Sequence, residues 1–181
     1  MDRFGILSFP GTGHLHPLTA LGREPVRWGH TVTVFQVADV GPLICDAGLR
    51  FHRIGELDFP PGALRAMDEK LSRLHGLEAM EFVFERIRQN SQIVLRDAPM
   101  AIGSEQLDAL IVDQAEFAGG SVAEYLGLPF VTAILTHPLN LHSSCPFSGF
   151  GSESLNGVGW RGHCAASNAR LGIIQSGILA I

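Results

Sequence analysis

Two histidines, a glycine turn and one aspartate are the residues of this chain whose types and spacing could do chemistry. The turn reads Pro10-Gly11-Thr12-Gly13-His14-Leu15-His16-Pro17 and follows the short apolar run FGILSF at residues 4–9. Glycines at such a strand-to-helix junction let the chain turn tightly and let a ligand come close to the backbone, here at Gly13. The helix N-terminus just beyond favours negative charge. A dinucleotide fingerprint needs a third glycine where His16 stands, and no lysine follows as in a phosphate-binding loop. His14 sits where open α/β sheets place their ligand crevice, and an imidazole there is suited to act as a general base near neutral pH. As a plain helix-start residue it would instead face solvent. No carboxylate or cysteine ligand set accompanies His14 and His16, so no metal is expected.

Asp113 is the second candidate. It closes the apolar run Leu110-Ile111-Val112, and it is either a cap for the helix that follows or a functional acid. A carboxylate bonded to one imidazole nitrogen fixes the tautomer and raises the basicity of the other nitrogen. In a doubly wound sheet of order 3-2-1-4-5 the first and fourth strands are neighbours, so His14 and Asp113 would meet at their carboxyl ends.

The elements that must position this pair are legible as an alternation. Residues 4–9, 31–37 (TVTVFQV), 50–54, 107–112 and 130–135 read as strands, most of them apolar enough to be buried on both faces. Between them, residues 15–28, 40–47, 64–98 and 116–126 read as helices, the third interrupted near Gly76. In that long helix Met80, Val83, Phe84, Ile87 and Val94 mark the expected buried stripe. Pro25 breaks the pattern inside the first helix, so a kink or an early end is expected there. Strands alternating with helices predict an α/β fold with a parallel sheet and right-handed crossovers.

Composition sets the outer bounds. The chain has 181 residues, of which 46% are hydrophobic, and a net charge of −5. A sizeable core is therefore available, and nucleic acid is not the expected partner, since that would call for a basic patch. Three cysteines without CxxC spacing (Cys45, Cys145, Cys164) suggest neither a disulfide framework nor a zinc site. The N-terminal apolar run is too short for a secretory signal, and no stretch reaches the roughly 20 apolar residues of a membrane span. A cytoplasmic protein without stable membrane insertion is the resulting expectation. Residues 141–181 carry only three charged side chains, with seven Gly and seven Ser, and read as an irregular Gly/Ser-rich tail, of which 143–162 is expected to lack regular structure.

A resemblance adds what spacing cannot. The stretch FGILSFPGTGHLHPLTALGREPVRWGHTVTVFQVADV, continuing through DAGLRFHRIG, resembles the amino-terminal half of UDP-dependent glycosyltransferases of the GT-B type. The bacterial macrolide and zeaxanthin glucosyltransferases are the nearest in style. LDALIVDQAEFAGGSVAEYLGLPFVTA fits the same family as strand, aspartate, helix, GLP turn and strand. The resemblance covers residues 4–140 and implies a Rossmann-like acceptor-binding domain over residues 1–140. It implies that His14 deprotonates an acceptor hydroxyl and that Asp113 holds His14. It further implies a UDP-sugar donor with no metal cofactor, and a hydrophobic small-molecule acceptor. That acceptor would sit against Gly13, against residues 59–84, Phe59 and Phe84 among them, and against residues 136–139, beginning at Thr136. Family members carry a second, donor-binding domain, and nothing in residues 141–181 matches its motif. A truncated chain, inactive by itself, is the corresponding expectation. The competing expectations are a remnant or acceptor-binding module without catalysis, and a nicotinamide-dependent oxidoreductase using Asp39. The second would have His16 in place of a required glycine.

Overall fold

Runs of Val, Ile, Leu and Phe long enough to cross a sheet once become five parallel strands. A computed structural model describes residues 1–37 and 40–135, all within one unit, Met1–Leu135. Asp39, Thr136 and the tail lie outside the described residues. The elements follow the order β1 (Arg3–Leu7), α1 (Thr12–Arg27), β2 (Thr31–Gln36), α2 (Gly41–Asp46), β3 (Arg50–Arg53), α3 (Ala63–Leu71), α4 (Gly76–Glu105), β4 (Ala109–Asp113), α5 (Gly119–Leu126) and β5 (Phe130–Ala133). The sheet order is β3-β2-β1-β4-β5, with every pair parallel. This is the doubly wound α/β arrangement that the alternation predicts.

Period-two side-chain placement sorts each strand between two cores. Ile6, Val32 and Val34 pack with Leu15 and Leu18 of α1 and Ile44 of α2 on one face. Leu7, Phe35, Leu110 and Val112 pack with Ile93, Val94 and Ala98 of α4 and Val122 of α5 on the other. Gly119 at the start of α5 is required by closeness, since a Cβ there would lie 2.4 Å from a Val112 methyl.

Several boundaries differ from expectation: α5 begins at Gly119 rather than residue 116, and three others differ for a physical reason. Helix α1 begins at Thr12 rather than residue 15, with Gly11 as its extended N-cap (φ −110°, ψ 141°). Its first turn overhangs the sheet and carries no apolar side chain, so hydrophobic periodicity starts one turn late. Pro25 neither stops the helix at once nor lies deep within it: α1 ends two residues later at Arg27, where the Trp28 N–H reaches the Glu24 and Pro25 carbonyls. Helix α4 runs to Glu105, past the expected end at residue 98 and through Pro99, with Ala98 and Ile102 on either side of that proline both fully buried.

Candidate active site

The carboxyl ends of β1 and β4 are adjacent, with Leu7 opposite Val112 in the register. One residue further, Asp113 ends β4, and across the β1–α1 turn stands His14 in the first turn of α1. His14 Nδ1 lies 2.8 Å from Asp113 Oδ2. The approach is short but bent: Nδ1 is enclosed, and its N–H is not aligned along the line to the oxygen. Asp113 is 1% exposed, while His14 keeps 19% of its side chain open. The Phe9 ring meets the imidazole edge-on at 5.5 Å and walls one side.

Backbone amides hold the aspartate from both sides. The Phe9 N–H donates to Oδ2 at 3.1 Å, and the Ala115 N–H donates to Oδ1 at 2.9 Å. The cap reading of Asp113 is not met: Ala115 lies in the turn before α5, whose N-cap is Ala118 with no side-chain cap. The same carboxylate also faces the imidazole. The arrangement presents Nδ1 to a carboxylate and leaves Nε2 as the nitrogen available to a substrate.

Buried polar side chains brace this corner. Gln36, at the end of β2, donates from Nε2 to the Ser8 carbonyl at 2.7 Å and accepts the Val37 N–H at 2.5 Å. It thereby fixes the strand end from which Phe9 reaches Asp113. Glu116 is 2% exposed. Its Oε1 accepts the Ala118 N–H at 3.2 Å, and Oε2 accepts Asn90 Nδ2 from α4. Burial, and to a lesser degree the nearby Asp113 charge, push its carboxyl up to about 7. Sequence reasoning missed Gln36, Asn90 and Glu116. The available signal was weak: a polar residue at the end of a β-branched run, and polar Arg86 and Asn90 one turn apart on an otherwise apolar helical stripe.

Gly13 points into open space, with nothing within 4 Å of a Cβ built on it, so packing does not require a glycine there. Pro17 lacks the N–H that would otherwise reach the Gly13 carbonyl. His16 is exposed, away from His14. A cavity of about 330 Å³ opens between the loop after β3 and helices α3 and α4. Phe59, Met67 and Ile93 form its apolar wall, with Asp58, Gln89, Gln92 and Arg96 as the polar part. Phe59 lines this cavity. Phe84 does not line it and does not belong to the buried stripe expected of it: it is 58% exposed, because that stripe of α4 runs through Arg86, Asn90, Ile93 and Val94. Thr136 lies outside the described residues.

The fold defines the class: a Rossmann-like domain of the kind found in GT-B glycosyltransferases. The glycosyltransferase SnogD of Streptomyces nogalater superposes with a TM-score of 0.56 at 24% identity, over 74% of this chain and 35% of SnogD. The sequence is 34% identical over 148 residues to the zeaxanthin glucosyltransferase of Pantoea ananas, and 29% identical over 146 residues to that of Pseudescherichia vulneris. These matches cover 82% and 81% of this chain, which spans about a third (34%) of the length of each relative. No protein-family model matches the sequence. The chain belongs to the glycosyltransferase family and corresponds to its N-terminal part.

Proposed function

We propose that this chain forms the acceptor-binding and base-supplying part of an inverting glycosyltransferase that uses a UDP-sugar. His14, turned by Asp113 so that Nε2 faces the crevice, takes the proton from an acceptor hydroxyl. That oxygen then bonds to the anomeric carbon from the face opposite UDP, the carbon–oxygen bond to UDP breaks, and UDP leaves with the electron pair. The observation that carries this reading is the 2.8 Å approach of Nδ1 to Oδ2 at neighbouring strand ends.

The names of the two curated relatives favour glucose as the sugar and a hydroxylated carotenoid as the acceptor class. The hydrophobic character of the acceptor rests on those names, since the cavity beside Phe59, Met67 and Ile93 is equally lined by Asp58, Gln89, Gln92 and Arg96. The proposal assigns no metal a role in taking the acceptor proton, which goes to His14. Nothing here requires a membrane span, and no helix among the described residues is long and apolar enough to form one. A cytoplasmic location remains part of the proposal.

The test joins this chain to the C-terminal half of a zeaxanthin glucosyltransferase and measures UDP release with and without zeaxanthin. Acceptor-dependent release with formation of the glucoside is expected. Release that is the same without acceptor, or zeaxanthin binding to this chain with no transfer in the fused protein, would overturn the catalytic reading in favour of a binding module.

A further inference from the structure

The proposed transfer makes no use of Glu116, although it is a carboxyl buried three residues past Asp113. Asp113 is the last residue of β4, and the backbone beyond it leaves the sheet in a turn closed by the Glu116 N–H on the Asp113 carbonyl at 2.9 Å. Ala115, whose N–H holds Asp113 Oδ1, lies inside that turn. If the turn shifts, the Ala115 donor shifts with it, and the carboxylate rotates away from or toward His14. The Asn90–Glu116 bond ties this turn to α4, a rigid 30-residue helix.

We propose that Glu116 is a positioning residue: clamped by Asn90, it fixes the Asp113–Glu116 turn and so the direction from which the Asp113 carboxylate meets His14. The proposal rests on reading His14 and Asp113 as base and orienter. The surroundings fit a geometric clamp rather than an ion pair. Asp113 faces Glu116 as a like charge, and the α4 guanidinium of Arg86, one turn before Asn90, is engaged by Asp68 at 3.0 Å. Asn90 Oδ1 is buried without a partner. An Asn90 amide turned over would offer that oxygen to a donor at position 116, so Glu116→Gln can keep the link with no charge at all. Glu116→Ala cannot.

Amide hydrogen exchange on the full chain reads the clamp directly. In Glu116→Ala, exchange at Phe9 and Ala115, the two amides that grip Asp113, should quicken about tenfold or more, while Ile6 and Val34 in the central strands keep their protection. Glu116→Gln should restore both amides to within about threefold of the wild type. Unchanged protection in Glu116→Ala, uniform loss across the sheet, or a Gln variant that behaves like Ala would each overturn the proposal. If Glu116→Ala does not fold, Asn90→Ala must show the same local pattern, and wild-type protection there overturns it equally. In the fused enzyme, Glu116→Ala should lower kcat about tenfold or more with the acceptor KM within twofold, and a loss confined to KM would overturn the proposal. A fused enzyme without any transfer would sink the proposed function, while the exchange pattern would still decide the clamp.

Discussion

The two edges of the sheet carry polar groups on opposite terms. At the amino edge, Asp2 and His30 approach at 3.1 Å, Arg50 and Glu105 at 3.2 Å, and the Asp108 carboxylate accepts the Arg3 N–H at 2.7 Å. Most of these side chains stand in solvent, with Asp2 56% and Arg50 58% exposed. At the carboxyl edge Ser8, Gln36, Asp113 and Glu116 are each 3% exposed or less. Solvated pairs exchange water for a partner at little net gain, whereas buried groups must be matched atom by atom or they cost several kcal/mol. An imidazole is seated at both ends, since His30 Nδ1 accepts the Asp2 N–H at 3.1 Å, but only His14 faces a carboxylate that is itself buried. The difference teaches that the proposed base and its carboxylate sit where the fold accepts a desolvation cost.

The largest effect expected at the buried edge is on turnover. In the fused enzyme, His14→Ala should lower transfer by about a hundredfold or more, the usual weight of a general base. Its thermal midpoint should stay near that of the wild type, because the ring is partly open and contributes no aligned hydrogen bond. Asp113→Asn should also slow transfer while leaving UDP-sugar binding intact, since the donor site lies outside this chain in the proposed arrangement. Undiminished turnover in His14→Ala would reduce the carboxyl edge to a structural feature, no different in kind from the amino edge.

Next in size is the pH dependence that Glu116 imposes. Burial raises its carboxyl from 4.5 to about 7 in the folded chain, so between those values the folded state keeps a proton that the unfolded state has released. Stability therefore falls as pH rises through this window and levels off above it. At about 1.4 kcal/mol per pH unit, the loss from this group is on the order of 3 kcal/mol. Glu116→Gln should lack it. Urea unfolding at pH 4, 5.5, 7 and 8 should show the stability of the Gln variant gaining on the wild type up to about pH 7 and running parallel beyond. A difference independent of pH would place Glu116 among the solvated groups.

How much of this was legible in the sequence depends on what announces each feature. Val32 and Val34 announce β2 because a β-branched run buried on both faces has few other uses. Once the alternation gives the strand order, His14 and Asp113 are brought to one corner by topology, whatever their separation along the chain. The first turn of α1 was not legible, because Thr12 and Gly13 overhang the core and carry no apolar signal. The bracing residues were hidden for a related reason. Asn90 and Arg86 interrupt an otherwise apolar stripe without naming their partners until the position of α5 over α4 is known, and Glu116 looks like an ordinary acidic first-turn residue. Phe84 erred the other way: an aromatic side chain invites a core or pocket assignment, but its angular position on α4 turns it to solvent.

A moderate effect tests the packing beneath the buried carboxylates. A methyl at position 119 would fall 2.4 Å from Val112 Cγ1, and Val112 is a stiff β-branched residue that is 3% exposed. Gly119→Ala should therefore destabilise the chain by about 1–3 kcal/mol, the range for overpacking a filled core. The double variant with Val112→Ala should be more stable than the sum of the single changes, with a coupling of about 1 kcal/mol. Strict additivity in urea unfolding would mean that α5 slides to make room, and that the β4–α5 turn is less firmly seated than its hydrogen bonds imply.

The smallest effect belongs to the amino edge. Arg50 lies more than half in solvent, and its guanidinium shares Glu105 with His52, whose Nδ1 is 3.5 Å from the same carboxylate. Removing the arginine leaves Glu105 with water and a second partner, so no charge is stranded. Arg50→Gln should therefore cost less than about 1 kcal/mol, and less again at high salt, where exposed charges are screened within a few ångströms. For a folded unit of this size that corresponds to a fall of a few degrees at most in the thermal midpoint. The measurement is a pair of melting curves, wild type and variant, at about 50 mM and about 1 M sodium chloride. A large fall that persists in the high-salt pair would show Glu105 to be held as tightly as Asp113. The contrast between the two edges would then rest on the histidine and not on burial.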